Sequence, residues 1–417
     1  MKKVIILTSA FPYLPGEQFI EDEISYWGDV ADNNEIIVLP ASSKGQARNL
    51  PGNVTVDLSC LAEKFWPKWY FLFYALTSKV FISELFYIIN NRGIRWFDFK
   101  EFLRTINLLH VFRYKLRKYL RRCGSADVIY CYWNDAQAYA ACMLKKEGLV
   151  GEVVTRMHGF DLYEERRVNS YMPLKRQFIS QFDKVFVLSK AAENYVLKRY
   201  RADPETVKVR PLAVPIPERM ASRSPHGEVS IVSVSFCVGV KRIDKIIDAL
   251  EIAAQHHPTI TFFWNHIGGG PLLDQLKSHA ARVLAPLKNI NFNFRGTLTR
   301  DEVRHFYLFE MVDCILNASE SEGMPVSIME AMSFGVPAIA PDIGGISDLI
   351  NSETGMLLRS AATPDDIATA IGALIEGPEG EIRARARLKM EESYNAAINY
   401  RCFVNEVLGG HNSNRGD

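Results

Sequence analysis

The sequence lacks a strong charge of either sign and any long apolar run. Its 49 Lys and Arg residues nearly balance its 48 Asp and Glu residues, so the net charge is +1 over 417 residues. This balance gives no reason to expect a nucleic-acid partner. No stretch reaches the roughly 20 apolar residues that are needed to span a bilayer. The apolar start, Val4–Leu7, is too short for an export signal, so we expect a cytoplasmic protein.

The sequence also lacks the usual signatures of metal and dinucleotide sites. Its seven cysteines are scattered without a Cys-x-x-Cys pair, which is typical of reduced thiols. It contains no Asp-x-Asp, no His-x-x-x-His and no cysteine cluster, so we expect no metal ion and no bound cofactor. The loop after the first predicted strand, Phe11–Glu17, is rich in proline and does not carry Gly-x-Gly-x-x-Gly, which argues against an NAD enzyme.

What the sequence does have is two series of predicted strands that alternate with helices. The predicted strands are Val4–Thr8, Glu35–Pro40, Ala126–Tyr132, Gly151–Met157, Lys184–Leu188 and Val207–Arg210 in the first series, and Val229–Val234, Thr259–Ile267, Ile290–Phe294, Asp313–Asn317 and Ala338–Ala340 in the second. Strands alternating with helices predict parallel sheets covered by helices. The expected fold class is therefore α/β, with two doubly wound, Rossmann-like domains.

The domain boundary is expected at residues 211–228, which are rich in proline and small polar residues and form the best linker candidate. Residues 1–210 are then the first predicted domain and residues 229–384 the second. Residues 385–408 are predicted to form a closing helix, and residues 409–417 a disordered tail. Ligands of doubly wound sheets bind beyond the carboxyl ends of the strands. We therefore expect the site in a central cleft where the two domains face each other.

One part of the first domain is unusually aromatic and basic. Residues 65–89 contain ten Phe, Trp and Tyr residues, and residues 92–122 contain ten Lys and Arg residues against only Asp98 and Glu101. A basic helix beside an aromatic one is typical of a surface that lies on anionic lipid. The alternative is a pair of core helices with a solvated basic face. We expect a peripheral position on the inner face of the plasma membrane.

The most informative stretch, residues 319–332, lies between two predicted strands of the second domain. Pro325 suits the first helical position, and Gly335 suits the residue just past the helix end. The first N–H groups of this helix would lie at the C-terminal edge of a parallel sheet, where an anion is favoured. Lys241 and Arg242 follow another strand and are candidates to bind a diphosphate. The alternative is an ordinary surface pair, because adjacent Lys and Arg residues are common on surfaces.

Two glutamates and one histidine are candidates for chemistry beside this anion. Glu330 lies on the predicted helix among apolar neighbours, where a carboxylate without a partner is costly and a sugar diol would supply hydroxyl donors. The alternatives are a solvated helix glutamate for Glu330 and a simple N-terminal helix charge for Glu322. His158 ends a strand of the first domain and is followed by Gly159 and Asp161. It either meets a substrate there or is a structural histidine.

These residues resemble a known family. Residues 319–345 closely resemble the Glu-x7-Glu region of the family 4 glycosyltransferases, which have the GT-B fold and retain anomeric configuration. The resemblance extends over nearly the whole chain. The further segments that are similar to exopolysaccharide, capsule and O-antigen members are Phe11–Tyr13 with Gly16, Glu17 and Glu21, then Arg156–Tyr163, His266–Leu272 and Phe294–Gly296. In this fold the C-terminal helix is expected to cross back to the N-terminal domain.

The resemblance implies a role for each matching residue on the donor side. Glu330 would hold the donor ribose, and Glu322 would contact hydroxyls of the donor sugar. Lys241 would bind the phosphates. The other implied donor-binding residues belong to the glycine loop, the base pocket and the start of the helix: Gly269, Arg295, Gly296, Gly323, Met324, Pro325 and Val326. The sequence departs from the family at Phe236, where many members carry an arginine, and Arg242 is the candidate substitute.

On the acceptor side the resemblance implies two groups of residues. His158 would contact the transferred sugar, so that His158, Glu322 and Lys241 form the implied catalytic set. Pro15, Gly16, Glu17 and Asp161 would belong to the acceptor-side loop. No residue is implied as a covalent nucleophile, and Lys241 with the helix start would stabilise the leaving phosphate without a metal ion.

The resemblance therefore implies a retaining glycosyltransferase that uses a nucleotide-diphosphate sugar. We expect a UDP-sugar as donor, with a GDP-sugar as the second choice, and a lipid-linked saccharide of bacterial surface polysaccharide synthesis as acceptor. The alternatives are a nucleotide-sugar epimerase or soluble disaccharide synthase of the same fold, and an inactive homologue that acts as a scaffold. The presence of both glutamates and of His158 argues against the scaffold.

Overall fold

The chain folds into two compact units, each built on one parallel sheet. The computed structural model describes residues 1–14, 17, 19–62, 71, 73, 75–93, 95–377 and 379–409. The first unit comprises Met1–Pro211 and Tyr400–Asp417, and the second comprises Leu212–Asn399. The α/β class and the two Rossmann-like sheets predicted from the sequence are confirmed.

The first unit contains a seven-stranded parallel sheet in the order β3-β2-β1-β4-β5-β6-β7. Its strands are β1 Lys2–Thr8, β2 Asn34–Pro40, β3 Val54–Val56, β4 Ala126–Cys131, β5 Val150–Met157, β6 Lys184–Val187 and β7 Val207–Val209. Successive side chains of β1 enter different cores, because Ile5 and Leu7 pack on one face of the sheet and Val4 and Ile6 on the other. A strand that is buried on both faces needs such a continuous apolar run.

Helices cover both faces of this sheet. They are α1 Ile20–Asp29, α2 Ser59–Ala62, α3 Lys79–Asn91, α4 Trp96–Cys123, α5 Ala136–Lys146, α6 Gly159–Leu162, α7 Lys175–Phe178 and α8 Lys190–Tyr195. A buried ion pair between Arg156 of β5 and Glu23 of α1 lies in one of these layers. The guanidinium of Arg156 also lies 4.0 Å from the ring centroid of Phe403 near the end of the chain.

The second unit contains a six-stranded parallel sheet in the order β10-β9-β8-β11-β12-β13. Its strands are β8 Glu228–Val234, β9 Thr261–Ile267, β10 Ile290–Gly296, β11 Cys314–Leu316, β12 Ala338–Pro341 and β13 Gly355–Leu358. Its helices are α9 Ile243–His256, α10 Leu273–Val283, α11 Arg300–Phe309, α12 Val326–Ser333, α13 Ile346–Leu349, α14 Pro364–Glu376 and α15 Glu379–Ser393. The last helix, α16 Ala396–Val407, begins in this unit, and its residues from Tyr400 onward belong to the first unit. The strands predicted from the sequence did not include β13, nor β3 of the first unit.

The end of the chain forms two helices, where one helix over residues 385–408 was predicted. The break at Asn395 has a clear cause in hydrogen bonding. Val214 N donates to Tyr394 O at 2.9 Å, and Ala396 N donates to Val214 O at 3.0 Å. The Asn395 side chain accepts from Ala397 N at 3.0 Å and so begins the last helix. The end of α16 then packs its Phe403 against the core of the first unit.

Residues 211–228, predicted as a linker, pack against the second unit. Val214 is buried, and Ala221 N donates to Phe334 O at 2.9 Å. Arg383 of α15 donates to Ala221 O at 2.5 Å. The proline-rich composition therefore marks irregular chain that is held by many contacts. Of the predicted disordered tail, only residue 409 belongs to the described residues.

The predicted aromatic and basic region forms α3 and α4, apart from residues 63–70, 72, 74 and 94, which lie outside the described residues. Phe81 and Ile88 of α3 are buried in the core of the first unit. Ile82, Phe86 and Ile89 of the same helix are exposed. In the described part of the chain, no helix combines the length and the apolar character that are needed to cross a membrane.

Candidate active site

The predicted donor-binding residues lie at the carboxyl ends of four strands of the second unit. Lys241 follows β8, Gly269 follows β9, Gly296 ends β10 and Glu322 follows β11. Because β9, β8 and β11 are neighbours in a parallel sheet, their carboxyl ends meet at one edge. This edge is the usual place for a ligand in such a sheet.

Lys241 and Glu322 form an ion pair across two of these loops. Lys241 Nζ lies 2.7 Å from Glu322 Oε1. The same oxygen accepts from Asn317 Nδ2 at 3.1 Å and from Ser319 Oγ at 2.7 Å. The two loops are also joined by their backbones, since Glu320 N donates to Val240 O at 2.8 Å. The sequence predicted both charged residues as site residues, but not their contact with each other.

The helix α12 begins beside this pair, one residue later than predicted. Pro325 is the N-cap residue, with φ −76° and ψ 102°, rather than the first helical residue. Its carbonyl oxygen accepts from Ile328 N and Met329 N. The preceding N–H groups of Val326 and Ser327 therefore begin the helix, where N–H groups have no partner within the helix and favour an anion.

Glycines allow these loops to lie close together, because they have no side chain. Gly344, which follows β12, has φ +60°, and a Cβ atom there would lie 2.1 Å from Glu322 O. Gly345 N donates to Gly323 O at 2.7 Å. Gly268 has φ +147°, and a Cβ atom there would lie 1.9 Å from Ser235 O in the loop that leads to Lys241. The loops around Lys241 and Glu322 thus require glycine on both sides.

Arg242 is engaged by two carboxylates. Its guanidinium lies 2.7 Å from Asp244 and 2.5 Å from Glu320. The hydrogen bonds that Arg242 donates to these carboxylates, first to Asp244 and then to Glu320, raise the pKa of Arg242. The role predicted for Arg242, in place of the cation that many family members carry at the position of Phe236, stays a prediction. It would require the guanidinium to leave one of these partners.

Glu330 has a protein partner that the sequence did not reveal. Its carboxylate Oε1 lies 3.3 Å from Nε of Arg300, the first residue of α11. The sequence suggested only a sugar diol as the partner of this carboxylate, and the ribose-binding role of Glu330 stays a prediction. Arg300 is 30 residues away along the chain, and nothing in its local sequence pattern indicates the contact.

Arg295 lies on the open face of the sheet. Its Nε donates to Asn265 Oδ1 at 2.8 Å, and its guanidinium lies 3.3 Å from Glu310. It lines a groove of about 310 Å³ together with residues such as Phe263. Gly296 is joined to the glycine loop, because its carbonyl accepts from Gly268 N at 2.8 Å. Arg295 thus contacts neighbouring strand and helix residues, and its role in a base pocket stays a prediction.

His158 follows β5 at the carboxyl edge of the first sheet. Its ring lies 4.7 Å from that of Tyr132 and 4.6 Å from that of Trp133, and the residue is only 7% exposed. Neither ring nitrogen makes a hydrogen bond of accepted geometry with another described residue. Burial, and then the charge of Arg156, lower the pKa of His158 well below its ordinary value. The imidazole is therefore neutral at pH 7 and can both donate and accept a hydrogen bond.

Asp161 shapes the loop that carries His158. One carboxylate oxygen accepts from His158 N at 2.5 Å, and the other accepts from Asn134 N at 2.7 Å. The buried ammonium of Lys175 donates to Asp161 O at 2.5 Å and to Asn134 Oδ1 at 2.7 Å. Burial lowers the pKa of Lys175 to about 8. Lys175 and Asn134 were missed in the sequence because their contacts are between distant segments.

The carboxylate of Glu17 also accepts hydrogen bonds from residues of the first unit. It accepts from Ser9 N at 2.9 Å, from Ala10 N at 2.6 Å, from Phe11 N at 2.5 Å and from Trp133 Nε1 at 2.5 Å. Four donors fill the usual acceptor positions of a carboxylate. Glu17 therefore holds the loop after β1 in place. Pro15 and Gly16, predicted for the same loop, lie outside the described residues.

The described side chains offer sites for anions and hydroxyl groups. Among them, no group of three or more His, Cys, Asp and Glu residues is arranged to hold a metal ion. The second unit offers a cation, a helix N-terminus and two carboxylates at one sheet edge. The first unit offers a buried neutral imidazole with two hydrogen-bonding nitrogens.

The buried state of His158 predicts a pH dependence of stability. Because its pKa is lower in the folded protein than the unfolded value of about 6.5, acid favours the unfolded chain. The contribution of His158 is fully present above pH 7 and is lost as the pH falls below about 6.5. His158→Phe keeps an aromatic ring against Tyr132 and Trp133 but cannot be protonated. Between pH 7.5 and 5.5 this variant should lose less unfolding free energy than the native protein, by up to about 1.4 kcal/mol. Urea denaturation at the two pH values measures the difference, and equal losses in both proteins would contradict the prediction.

Two protein-family models match adjacent parts of the chain. The model described as glycosyl transferases group 1 matches residues 217–392, and the model described as Glycosyltransferase Family 4 matches residues 78–216. Together they cover well over half of the sequence, and they meet close to the border between the two units.

Similar proteins and structures carry glycosyltransferase names. The O-antigen biosynthesis glycosyltransferase WbnH of Escherichia coli is 23% identical over 70% of this chain and 80% of its own length. The amylovoran biosynthesis glycosyltransferase AmsK of Erwinia amylovora is 24% identical over 68% of this chain and 70% of its own. The lipopolysaccharide outer core galactosyltransferase WaaB superposes with a TM-score of 0.67 at 16% identity, covering 98% of this chain and 99% of WaaB. Anabaena HepE in complex with UDP gives 0.69 at 17% identity, covering 98% of this chain and 100% of HepE. The fold is thus GT-B, and the chain belongs to the group 1 and family 4 glycosyltransferases.

Proposed function

We propose that this glycosyltransferase transfers a sugar from a UDP-sugar to a lipid-linked saccharide during synthesis of a bacterial surface polysaccharide, with retention of anomeric configuration. The observation that carries the proposal is the Lys241–Glu322 ion pair beside the N-terminus of α12. The names of WbnH and AmsK, which refer to O-antigen and amylovoran biosynthesis, support the pathway. The UDP in the HepE complex supports the choice of base.

The diphosphate is assigned to Lys241 and to the first N–H groups of α12. When the bond between the anomeric carbon and the diphosphate breaks, negative charge develops on the leaving phosphate oxygen. An ammonium and a helix N-terminus that are already in place stabilise this charge without reorganisation. The proposal assigns no part of this stabilisation to a metal ion. Asn317 and Ser319 hold Glu322 while Lys241 turns towards the phosphate.

The sugar is assigned to the carboxylate of Glu322 and to the imidazole of His158. Both groups accept hydrogen bonds from hydroxyl groups, and a neutral imidazole can also donate one. The ribose is assigned to Glu330. Asp161, Lys175 and Glu17 act on the acceptor side by holding the loops that carry His158 and Trp133. The acceptor hydroxyl then attacks the anomeric carbon on the face that the diphosphate leaves, and its proton passes to the leaving phosphate oxygen. The configuration is thereby retained with no covalent enzyme intermediate.

The two glutamates provide a direct test of this proposal. Glu322→Gln removes the partner of Lys241 and should lower the transfer rate by roughly 10²-fold, the usual cost of losing one transition-state contact. Glu330→Gln should raise the donor KM by roughly tenfold, because a charged acceptor of the ribose hydroxyls is lost. Transfer from UDP-sugars to membrane lipid extracts measures both effects. Glu376→Gln, on the exposed last residue of α14, is the matched control and should behave as the native protein.

The same assay separates the proposal from its alternatives. Normal transfer in both glutamate variants would contradict the assignment. Conversion of the donor without any acceptor would instead indicate an epimerase, and transfer to a soluble sugar would indicate a disaccharide synthase. Binding of partner proteins without any turnover would indicate a scaffold.

We also propose that α3 and α4 hold the protein on an anionic membrane surface. Ile82, Phe86 and Ile89 recur at the spacing of one helix face, and this face points away from the core. Trp96 and Phe97 at the start of α4 are exposed as well. Exposed basic residues follow them, among them Lys100 and Arg104. Apolar side chains beside cations suit the boundary between lipid headgroups and acyl chains, and this supports the lipid interpretation over a solvated basic face.

Vesicle binding tests this attachment. The native protein should bind vesicles rich in phosphatidylglycerol much more strongly than phosphatidylcholine vesicles, and binding should weaken with salt because the attraction is partly electrostatic. Replacing Phe86, which is 62% exposed, by Asp should lower the affinity by roughly tenfold or more, since it removes a large apolar contact. Phe309→Asp is the control, because Phe309 is 82% exposed but lies on the second unit. Equal binding by both variants, or equal binding to both kinds of vesicle, would contradict the attachment.

A further inference from the structure

The helix α11 presents one charged side chain to Glu330, the carboxylate that the proposed function assigns to the donor ribose. Arg300 Nε lies 3.3 Å from Glu330 Oε1. The Arg300 side chain is 15% exposed and that of Glu330 is 18% exposed. This ion pair is therefore largely shielded from water. The attraction between two opposite charges is stronger in such a place than on an open surface.

The position of Arg300 is fixed by the start of its helix. Thr299 is the N-cap residue, and its hydroxyl accepts from Glu302 N at 3.3 Å. In return, Glu302 Oε2 accepts from Thr299 N at 2.7 Å. This reciprocal capping box sets where α11 begins and thus where its first side chain, that of Arg300, leaves the backbone.

The same face of α11 packs against the helix that carries Glu330. Tyr307 lies seven residues after Arg300, two helical turns further along this face, and is 1% exposed. Its ring stacks on that of Phe334, at the end of α12, with a centroid distance of 5.2 Å. Burial, followed by the charge of Glu330, raises the pKa of Tyr307. The two helices therefore present Arg300 to Glu330 from a fixed direction.

We propose that Arg300 is a positioning residue that holds the Glu330 carboxylate in the orientation in which it accepts both hydroxyl groups of the donor ribose. The inference rests on the proposed function, because it concerns the same donor site. A carboxylate that accepts two neighbouring hydroxyls must be ionised and must keep one side-chain conformation. A guanidinium at one oxygen favours the ionised form and restricts the rotation of the side chain. Without Arg300, ordering the glutamate would reduce the affinity for ribose.

Discrimination between ribose and deoxyribose measures this role directly. The probes are UDP and 2′,3′-dideoxy-UDP, titrated calorimetrically into the full-length protein. The native protein should bind UDP roughly tenfold or more tightly, because hydrogen bonds to a charged acceptor are lost in the dideoxy compound. Arg300→Gln should weaken UDP binding but barely change dideoxy-UDP binding, so that the preference falls to about threefold or less. Arg300→Lys, which keeps the charge but not the planar guanidinium, should show an intermediate preference.

Two controls separate positioning from a general structural effect. Arg304→Gln, one turn further along α11 and paired with Asp301 at 3.7 Å, should keep the native preference. In the Glu330→Gln background, Arg300→Gln should cause no further loss of preference, because residues that act as a unit are not additive. Melting temperatures show whether each variant is folded. If Arg300→Gln does not fold, the comparison of the native protein with Arg300→Lys provides the test.

The outcomes distinguish this inference from the proposed function. UDP binding with a ribose preference that Arg300→Gln and Arg300→Lys leave unchanged would overturn the inference alone. An equal loss of affinity for both nucleotides in Arg300→Gln would also overturn it, because the residue would then act on the whole site. Absence of any UDP binding by the native protein would overturn the proposed donor together with the inference.

Discussion

In the second unit, an ammonium and a carboxylate that follow neighbouring strands contact each other beside a helix N-terminus, and the surrounding loops depend on this contact. Lys241 and Glu322 make this contact at 2.7 Å. Partial burial of two charges has a desolvation cost, which the hydrogen bonds from Asn317 and Ser319 offset on the carboxylate. The close approach of Gly344 to the Glu322 loop is part of the same arrangement.

In the first unit, buried charged groups hold the loops at the carboxyl ends of the strands. Glu17, Asp161 and Lys175 direct their charged groups to backbone and side-chain partners within the first unit. His158 differs from them, because its ring is packed between aromatic rings while its nitrogens have no partner among the described residues. Polar groups that are buried without partners are rare and costly, and they are expected where a ligand completes them. Glu17, Asp161 and Lys175 therefore hold loops in place, whereas His158 is suited to contact a sugar.

The sequence predicted those features that depend on local pattern. Runs such as Val4–Leu7 predicted buried strands, and the Glu-x7-Glu segment predicted a loop and helix at a strand end; both are present. β3 and β13 were missed; each lies at an edge of its sheet and has only one buried residue, so it lacks the continuous apolar run of a central strand. Arg300 and Lys175 were missed for a different reason. Each acts through a contact with a distant segment, and one sequence contains no local sign of such contacts.

The proposed diphosphate site consists of Lys241 and the start of α12. The most direct test is calorimetric titration of the native protein and of Lys241→Met with UDP and with UMP. The native protein should bind UDP at least about tenfold more tightly than UMP, because the second phosphate would contact a fixed cation and helix N–H groups. Lys241→Met should lose most of this difference. Equal affinities for UDP and UMP in the native protein, or a difference that Lys241→Met leaves unchanged, would contradict the account.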